Sequence, residues 1–262
     1  MSFSEIVVNT LSGGWSHKIR PQIARVTIQS EPNLLPQALL SDMRWLEKVT
    51  GGTAVVYGAC FADWKAGRTP KDYDIALMTP HHPLLAWASV LAATPFSKRK
   101  FGRYLWRHAL PWKRVRLRTK SGLLDIGMFQ RPTDEQHAIC EIADNADFGV
   151  IAKAATLDCT YTSDRFTEGH AHRVIRCRPL HTRRDYRSGI YKRWPKYALK
   201  KYPEWTVEYE SPADARFFEW ANQRRAELRA IYEKNPDKVI EELAREYEGR
   251  RGFTSPRPGV QP

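Results

Sequence analysis

The chain of 262 residues is long enough to bury a core of its own, and its length suits one main domain with a smaller appendage. It contains no apolar stretch that could span a bilayer and no signal-peptide pattern, and its four cysteines lack the spacing of a zinc site, so we expect a cytoplasmic protein without structural zinc. The net charge of +13 favours a polyanionic partner: RNA, DNA or an anionic membrane surface.

The first 34 residues form an N-terminal extension with two strand-like pieces, at 5–9 and 24–28. Apolar residues at helical spacing then predict a helix over 35–49 that stops at Gly51. A buried strand is predicted over 53–57, followed by a turn at Gly58 and a short helix over 60–66. A second strand is predicted over 73–78, with a helix over 84–92 after it.

Residues 113–119 alternate strictly, with Arg114, Arg116 and Arg118 on one face. A turn at 121–122 and a returning strand over 123–129 complete a predicted hairpin. Beyond it we expect a short strand-like piece and a basic helix within 152–201, two helices within 211–250 separated at Pro236, and a loose tail over 251–262. The predicted fold is α/β (α+β): a mixed sheet with flanking helices, followed by a small, mostly helical C-terminal part.

Two carboxylates stand two residues apart on the second strand, so Asp72 and Asp74 project from the same face. Asp125 lies on the returning strand of the hairpin. This strand could lie beside the strand that carries Asp72 and Asp74. Carboxylates held side by side repel each other unless a cation lies between them, and Mg²⁺ or Mn²⁺ is the usual choice. Three of them can hold a pair of ions for catalysis at a phosphate. The alternative is that Asp72 and Asp74 are ordinary solvated positions at the start of a strand.

The context of the pair favours catalysis. Gly58-Ala-Cys-Phe-Ala-Asp63, then Gly67-Arg68, then Asp72-Tyr-Asp-Ile75 resembles the signature of the poly(A) polymerase and CCA-adding enzyme head domain, a branch of the nucleotidyltransferase superfamily. In that family the signature reads Gly-Gly-x-Val-Arg-Asp, Gly-Arg and Asp-x-Asp-Ile or Val. The segments Asp125-Ile-Gly-Met-Phe129 and Asn145-Ala-Asp-Phe-Gly-Val-Ile151 resemble two later family segments.

The resemblance implies a nucleotidyltransferase head domain over 35–155, a basic neck and helical region over 156–250, and Mg²⁺ or Mn²⁺ with a nucleoside triphosphate as substrate. It implies catalytic and metal-binding roles for Asp72, Asp74 and Asp125. The nucleotide-binding positions that it implies are Gly58, Ala59, Asp63, Arg68, Lys71 and Asp147. The chain departs from the family pattern at Ala59, Ala62, Asn145, Ala146 and Ile151, where it lacks a glycine, three arginines and an asparagine.

Two basic runs with interleaved aromatic residues, over 98–120 and 173–201, are typical of surfaces that bind single-stranded or looped RNA. Each run could instead be a solvated face whose aromatic residues belong to the core. The RNA-binding candidates are Arg114, Arg116, Arg118, Arg184, Arg187, Lys192, Arg193 and Lys196, and the three arginines of the hairpin could also contact the triphosphate.

The leading hypothesis is therefore an enzyme that transfers a nucleoside monophosphate from a triphosphate to an RNA 3′ end, with tRNA as the favoured acceptor by resemblance. Two alternatives stay open. The same site could modify a protein or a small molecule, or the chain could be a catalytically weakened relative that binds RNA.

Overall fold

The computed structural model describes residues 4–12, 22–33, 35–93, 114–144, 146–177, 193–209 and 215–250. The chain divides into two compact units. The sheet unit comprises residues 1–10, 25–146 and 151–167, and the C-terminal unit comprises 11–24, 147–150 and 168–262. The boundaries predicted from the sequence, at 34, 155 and 250, stay predictions.

An eight-stranded mixed sheet forms the sheet unit, with strand order β1-β2-β8-β7-β3-β4-β6-β5. The β4–β6 pair is parallel, and the pairs of β3 with β4, β5 with β6, and β7 with both β3 and β8 are antiparallel. The predicted mixed α/β fold is thereby confirmed. The strands are β1 (Ser4–Ser12), β2 (Gln22–Pro32), β3 (Thr53–Tyr57), β4 (Asp72–Thr79), β5 (Arg114–Arg118), β6 (Leu123–Gln130), β7 (Lys153–Ala155) and β8 (Cys159–Ser163).

One face of this sheet carries the hydrophobic core. Ile75 and Leu77 of β4 and Ile126 of β6 are fully buried in the same cluster as Leu39 and Met43 of the first helix. Because side chains alternate along a strand, Asp72, Asp74 and Asp125 lie on the opposite face. The flanking helices are α1 (Gln37–Thr50), α2 (Ala59–Lys65), α3 (Pro83–Ala93) and α4 (Glu135–Asp144), and a fifth helix, α5 (Asp164–His172), follows β8.

The first helix ends where the sequence predicts. Gly51 adopts a left-handed conformation (φ 66°), and its N–H donates to the carbonyl of Glu47. A glycine in this position closes a helix without steric strain, so β3 can begin two residues later.

The C-terminal unit contains a two-stranded parallel sheet of β9 (Val174–Cys177) and β10 (Thr206–Tyr209). A π-helix spans Pro195–Lys201, and three α-helices follow: α6 (Ala215–Gln223), α7 (Arg225–Lys234) and α8 (Pro236–Arg250). Phe217 and Phe218 are buried in its core, and the ring of Phe217 meets that of Tyr247 edge-on at 4.9 Å. Within the described ranges, no helix combines the length and the apolar character needed to cross a membrane.

Most predicted elements are confirmed to within two residues, including the β5–β6 hairpin. Helix α4 was not predicted. The prediction of two helices within 211–250 was wrong, because the backbone leaves the helical conformation at Arg224 (φ −97°, ψ 12°) and separates α6 from α7. The predicted tail over 251–262 and most of the basic run over 98–120 lie outside the described residues.

Candidate active site

The three predicted carboxylates lie on two neighbouring strands. Asp74 of β4 and Asp125 of β6 are direct register partners in the parallel pair, and Asp72 precedes Asp74 by two residues on the same face. Their exposure falls from Asp72, which is exposed, through the half-buried Asp74 to the buried Asp125, at 7%. These three side chains, which differ in exposure, form a row on the sheet face opposite the core. We call Asp72, Asp74 and Asp125 the acidic row.

Asp125 is neutralised by an arginine from the edge strand. Arg116 of β5 is its register partner in the hairpin, and the guanidinium Nε donates to Oδ2 of Asp125 at 3.1 Å. A second guanidinium nitrogen, Nη2, lies 3.1 Å from the same oxygen. Burying a carboxylate is unfavourable without a counter-charge, and this ion pair supplies one.

Arg116 was predicted to contact RNA or triphosphate, yet in this structure it binds a predicted metal ligand. Its side chain stays 68% exposed, so the guanidinium reaches Asp125 from the solvent side. Arg118 lies two residues along on the same face and is exposed. The side chain of Arg114 lies outside the described residues.

The acidic row fits a divalent metal by the chemistry of its donors, since carboxylate oxygens are the ligands that Mg²⁺ and Mn²⁺ prefer. Among the residues that the structure describes, however, no group of three or more Asp, Glu, His or Cys side chains is arranged to hold a metal ion. Because Oδ2 of Asp125 is held by Arg116, a cation that binds there has to displace this guanidinium.

The predicted phosphate-binding turn lies beside the acidic row. Gly58 has a positive φ of 85°, and a β-carbon added to it would lie 3.8 Å from Oδ2 of Asp74. Its N–H donates to the carbonyl of Lys153 at 3.1 Å. Phosphate binding by this turn stays a prediction. Because the N–H of Gly58 already donates to Lys153, the N–H of Ala59 would be the one that contacts a phosphate.

Two further predicted nucleotide ligands bind each other. The Nε of Arg68 donates to Oδ1 of Asp63 at 3.0 Å, and the backbone N–H of Arg68 donates to the carbonyl of Asp63 at 2.8 Å. These contacts close the loop between α2 and β4, so the pair helps to fix the start of the strand that carries Asp72. Lys71, in the same loop, is exposed.

Cys60 lies near the acidic row but is unsuited to nucleophilic chemistry. The thiol is 2% exposed, and burial followed by the negative charge of Asp74 raises the pKa of Cys60 far above its ordinary value. Only a thiolate is an effective nucleophile, so Cys60 contributes packing rather than reactivity.

In the C-terminal unit, predicted nucleotide-binding and RNA-binding residues also pair with each other. The buried carboxylate of Asp147 accepts a hydrogen bond from Nη1 of the half-exposed Arg193. The ring of Phe148, next along the chain, packs against Tyr197 of the π-helix with a centroid distance of 5.0 Å. Lys196 is exposed on that helix. Arg184, Arg187 and Lys192 lie outside the described residues.

Sequence reasoning missed a buried polar network at the end of α4. Arg165 is 4% exposed and donates to the carbonyls of Asp144 at 2.9 Å and Ala146 at 3.1 Å. Ser163 donates to the Asp144 carboxylate at 2.8 Å. This network fixes the chain just before the predicted nucleotide ligand Asp147. No local signal identifies Arg165, because its partners lie about twenty positions earlier in the sequence.

The sequence matches no protein-family model and no curated protein sequence. The structure is similar to that of a CCA-adding enzyme in complex with CTP, with a TM-score of 0.51 and 19% identity over 81% of this chain and 51% of the other. It also matches a Thermotoga maritima CCA-adding enzyme complexed with tRNA (TM-score 0.46, 19% identity, 87% and 55% covered). A third match is a tRNA-processing enzyme (TM-score 0.49, 16% identity, 83% and 59% covered).

The chain thus spans between 51% and 59% of the length of these proteins. At such low identity the likeness concerns the fold alone, and this fold resembles that of the CCA-adding enzyme bound to CTP.

Proposed function

We propose that the chain is a metal-dependent nucleotidyltransferase that transfers a nucleoside monophosphate from a triphosphate to the 3′ end of an RNA and releases pyrophosphate. The favoured acceptor is tRNA. Asp72, Asp74 and Asp125 are the proposed catalytic and metal-binding residues.

The observation that carries this proposal is the register of Asp74 with Asp125 on adjacent parallel strands. Two carboxylates on neighbouring strands of one sheet face repel each other, and the core on the opposite face gives no reason for their presence. Asp125 is itself only 7% exposed, so an apolar side chain at this position would be shielded from water without needing a counter-charge. An acidic residue at position 125 is explained if its carboxylate binds a cation during function.

In the proposed mechanism the acidic row holds the divalent cations, which supply activation of the attacking hydroxyl and charge neutralisation of the triphosphate. The remaining task of the protein is positioning. Gly58 carries no side chain, and its backbone lies close to Asp74, since an added β-carbon would lie 3.8 Å from Oδ2 of Asp74; a triphosphate would approach the acidic row there. Arg116 and Arg118 are exposed on the same sheet face and would contact the phosphates once Arg116 leaves Asp125.

The proposed RNA acceptor is supported by charge and by the likeness to CCA-adding enzymes. A net charge of +13 attracts polyanions, and Arg193 and Lys196 are exposed cations in the C-terminal unit. The fold is similar to that of a CCA-adding enzyme bound to CTP. These observations together make tRNA the first acceptor to test.

The test is incorporation of each of four radiolabelled nucleoside triphosphates into total RNA with Mg²⁺. We expect incorporation by the wild-type protein and a loss of at least about 100-fold in Asp74→Asn, because removing a metal-binding carboxylate raises the barrier by about 2.7 kcal/mol or more. Asp158→Asn, at an exposed turn position, is the matched control and should keep full activity. A folded wild-type protein that incorporates none of the four nucleotides would exclude the proposal.

A second candidate function is RNA binding by a catalytically weakened relative. The ion pair of Asp125 with Arg116 favours it, since this contact competes with a metal. The double variant Asp72→Ala, Asp74→Ala separates the two functions. If the chain only binds RNA, the double variant keeps the RNA affinity of the wild type, and the wild type itself shows no nucleotide transfer.

A further inference from the structure

The sheet unit contains a cavity that the proposed transfer reaction does not use. Its volume is about 400 Å³, within the range of small-molecule sites. Residues from β2, α2, β7 and α5 line it, and those that matter for binding are Glu31, Phe61, Trp64, Lys65, Lys153 and Phe166.

The strand register places this cavity on the sheet face opposite the acidic row. Glu31 pairs with Thr160, Thr160 pairs with Ala155, and Ala155 pairs with Val56. Val56 in turn pairs with Ile75, which is the residue next to Asp74 and therefore points to the other face. A ligand in the cavity would thus be separated from the acidic row by the sheet.

Three aromatic residues line the cavity. Phe61 and Trp64 of α2 meet edge-on, with centroids 5.4 Å apart and planes at 85°. Phe166 of α5 contributes a third ring. The ammonium of Lys153 lies 5.8 Å from the ring centroid of Phe61 and 5.4 Å from that of Phe166, so it is attracted to both rings.

One hydrogen-bonding pair stands on this aromatic wall. Lys153 Nζ donates to Glu31 Oε1 at 3.0 Å, and both side chains are largely shielded, with 17% and 34% exposed. The charges of these two side chains cancel, so the pair presents one donor and one acceptor side by side with no net charge. An exposed cation, Lys65, also lines the cavity.

We propose that this cavity binds a nucleobase. A planar heterocycle stacks on aromatic side chains, and its edge carries an adjacent donor and acceptor that match Glu31 and Lys153. A free anion is disfavoured beside this pair because Glu31 cancels the charge of Lys153, which leaves only the solvent-exposed Lys65 to attract it among the described residues that line the cavity. An aliphatic ligand is disfavoured because it would bury the ion pair without satisfying its remaining hydrogen-bonding groups.

The base can come from a free nucleoside or from a single-stranded RNA. An RNA gains a further contact, because Lys65 can reach a phosphate next to a base held in the cavity. The site would therefore prefer a base within a strand over the isolated nucleoside.

The test is the quenching of 2-aminopurine fluorescence on stacking, measured without metal or triphosphate for 2-aminopurine riboside and for a hexaribonucleotide with one central 2-aminopurine. We expect saturable quenching with both probes and tighter binding of the hexamer. Trp64→Leu should weaken binding of each probe by about tenfold, since stacking on one ring contributes 1–3 kcal/mol. Glu31→Gln, which keeps the shape but removes the charge, should weaken it at least about fivefold.

Two control variants make the result specific. Glu141→Gln removes a half-exposed glutamate of α4 that pairs with His137, and it should bind the riboside like the wild type. Asp74→Asn should lower the proposed transfer at least about 100-fold but leave the cavity intact, so riboside binding should persist. Circular dichroism of every variant verifies the fold.

Riboside binding that is unchanged in Trp64→Leu and Glu31→Gln, or lost in Asp74→Asn, would overturn the proposal. Absence of saturable quenching by the folded wild type would overturn it as well. If the riboside binds and the hexamer does not bind more tightly, the ligand is a free nucleoside. The 2-aminopurine assay contains no triphosphate. Its result therefore does not depend on whether the protein catalyses the proposed transfer.

Discussion

Arg116 has two candidate partners: the carboxylate of Asp125, which it binds in the structure, and the phosphates of a bound triphosphate. Its guanidinium neutralises a buried carboxylate in the structure described here, and it lies on the same sheet face as the rest of the acidic row. Metal binding would release the arginine towards the phosphates. Arg116 would then act as a counter-ion before metal binding and as a phosphate ligand after it.

This competition is measurable. Arg116→Gln should raise the affinity of the protein for Mn²⁺ by about tenfold, because the cation no longer has to displace a guanidinium worth about 1.4 kcal/mol. Electron paramagnetic resonance of free Mn²⁺ reports the affinity without any turnover. Arg118→Gln is the matched control, since Arg118 is an exposed arginine two residues away on the same strand face. Weaker Mn²⁺ binding in Arg116→Gln than in Arg118→Gln would show that the arginine supports the site.

The features of the site that could be predicted from the sequence are those that depend on residues close together in the chain. The shared face of Asp72 and Asp74 follows from strand alternation alone, so sequence reasoning predicted it correctly. The register of Asp74 with Asp125 requires a parallel pairing across a long connection, and no local pattern specifies it. The capture of Asp125 by Arg116 was missed, although the hairpin that creates it was predicted.

At the scale of elements, the π-helix of the C-terminal unit depends on an arginine from another helix. The side chain of Arg225, at the start of α7, donates to the carbonyls of Ala198, Tyr202 and Trp205. Carbonyls at a helix end have no partner within the helix, and Arg225 supplies one for those at the end of this segment. The conformation of residues 195–205 is thereby tied to α7.

Replacing this arginine should destabilise the protein. Arg225→Met keeps the aliphatic length but removes the guanidinium donor from the carbonyls of Ala198 and Trp205 and one of the two donors to that of Tyr202, so the free energy of unfolding should fall by about 2 kcal/mol. Urea denaturation followed by circular dichroism measures it. Arg229→Met is the control, because Arg229 is exposed and its pair with Glu233 contributes about 0.5 kcal/mol. Equal losses in the two variants would contradict the capping role.

The elements themselves show what sequence patterns capture. Strands and helices with clear periodicity, such as β5, β6 and α1, were predicted to within two residues. Helix α4 was missed although a signal exists, since Oδ1 of Asp134 accepts the N–H of His137 at 2.9 Å, as an N-cap does. The break at Arg224 contains neither glycine nor proline. Its guanidinium binds Glu227, three positions further on, and Glu242 of α8, and the second of these contacts is tertiary.

At the scale of the whole molecule, the positive charge sets the conditions under which RNA is bound. With 42 basic and 29 acidic residues, the chain attracts the phosphate backbone irrespective of base sequence. Charge alone therefore governs non-specific affinity, whereas the acidic row and the cavity would select particular groups.

The salt dependence of RNA binding tests this assignment. If about five phosphates of a single strand are neutralised, the affinity should fall by about 100-fold between 50 and 200 mM KCl. Filter binding of a single-stranded RNA at several salt concentrations measures the slope. The double variant Arg193→Gln, Lys196→Gln should flatten the slope by about 1.4 units, whereas Lys234→Gln, on α7, should change it less. A slope near zero in the wild type would exclude phosphate contacts as the main source of affinity.

The pairing of Arg116 with Asp125 has a consequence for the order in which the sheet assembles. The β5–β6 hairpin is local and can form early, whereas β4 joins β6 only after a long crossover connection has closed. We therefore expect Asp125 to meet its arginine before it meets Asp74. The repulsion between the two acids is already reduced when the strands come together, so the apoprotein can reach its native topology without a divalent ion as a folding template.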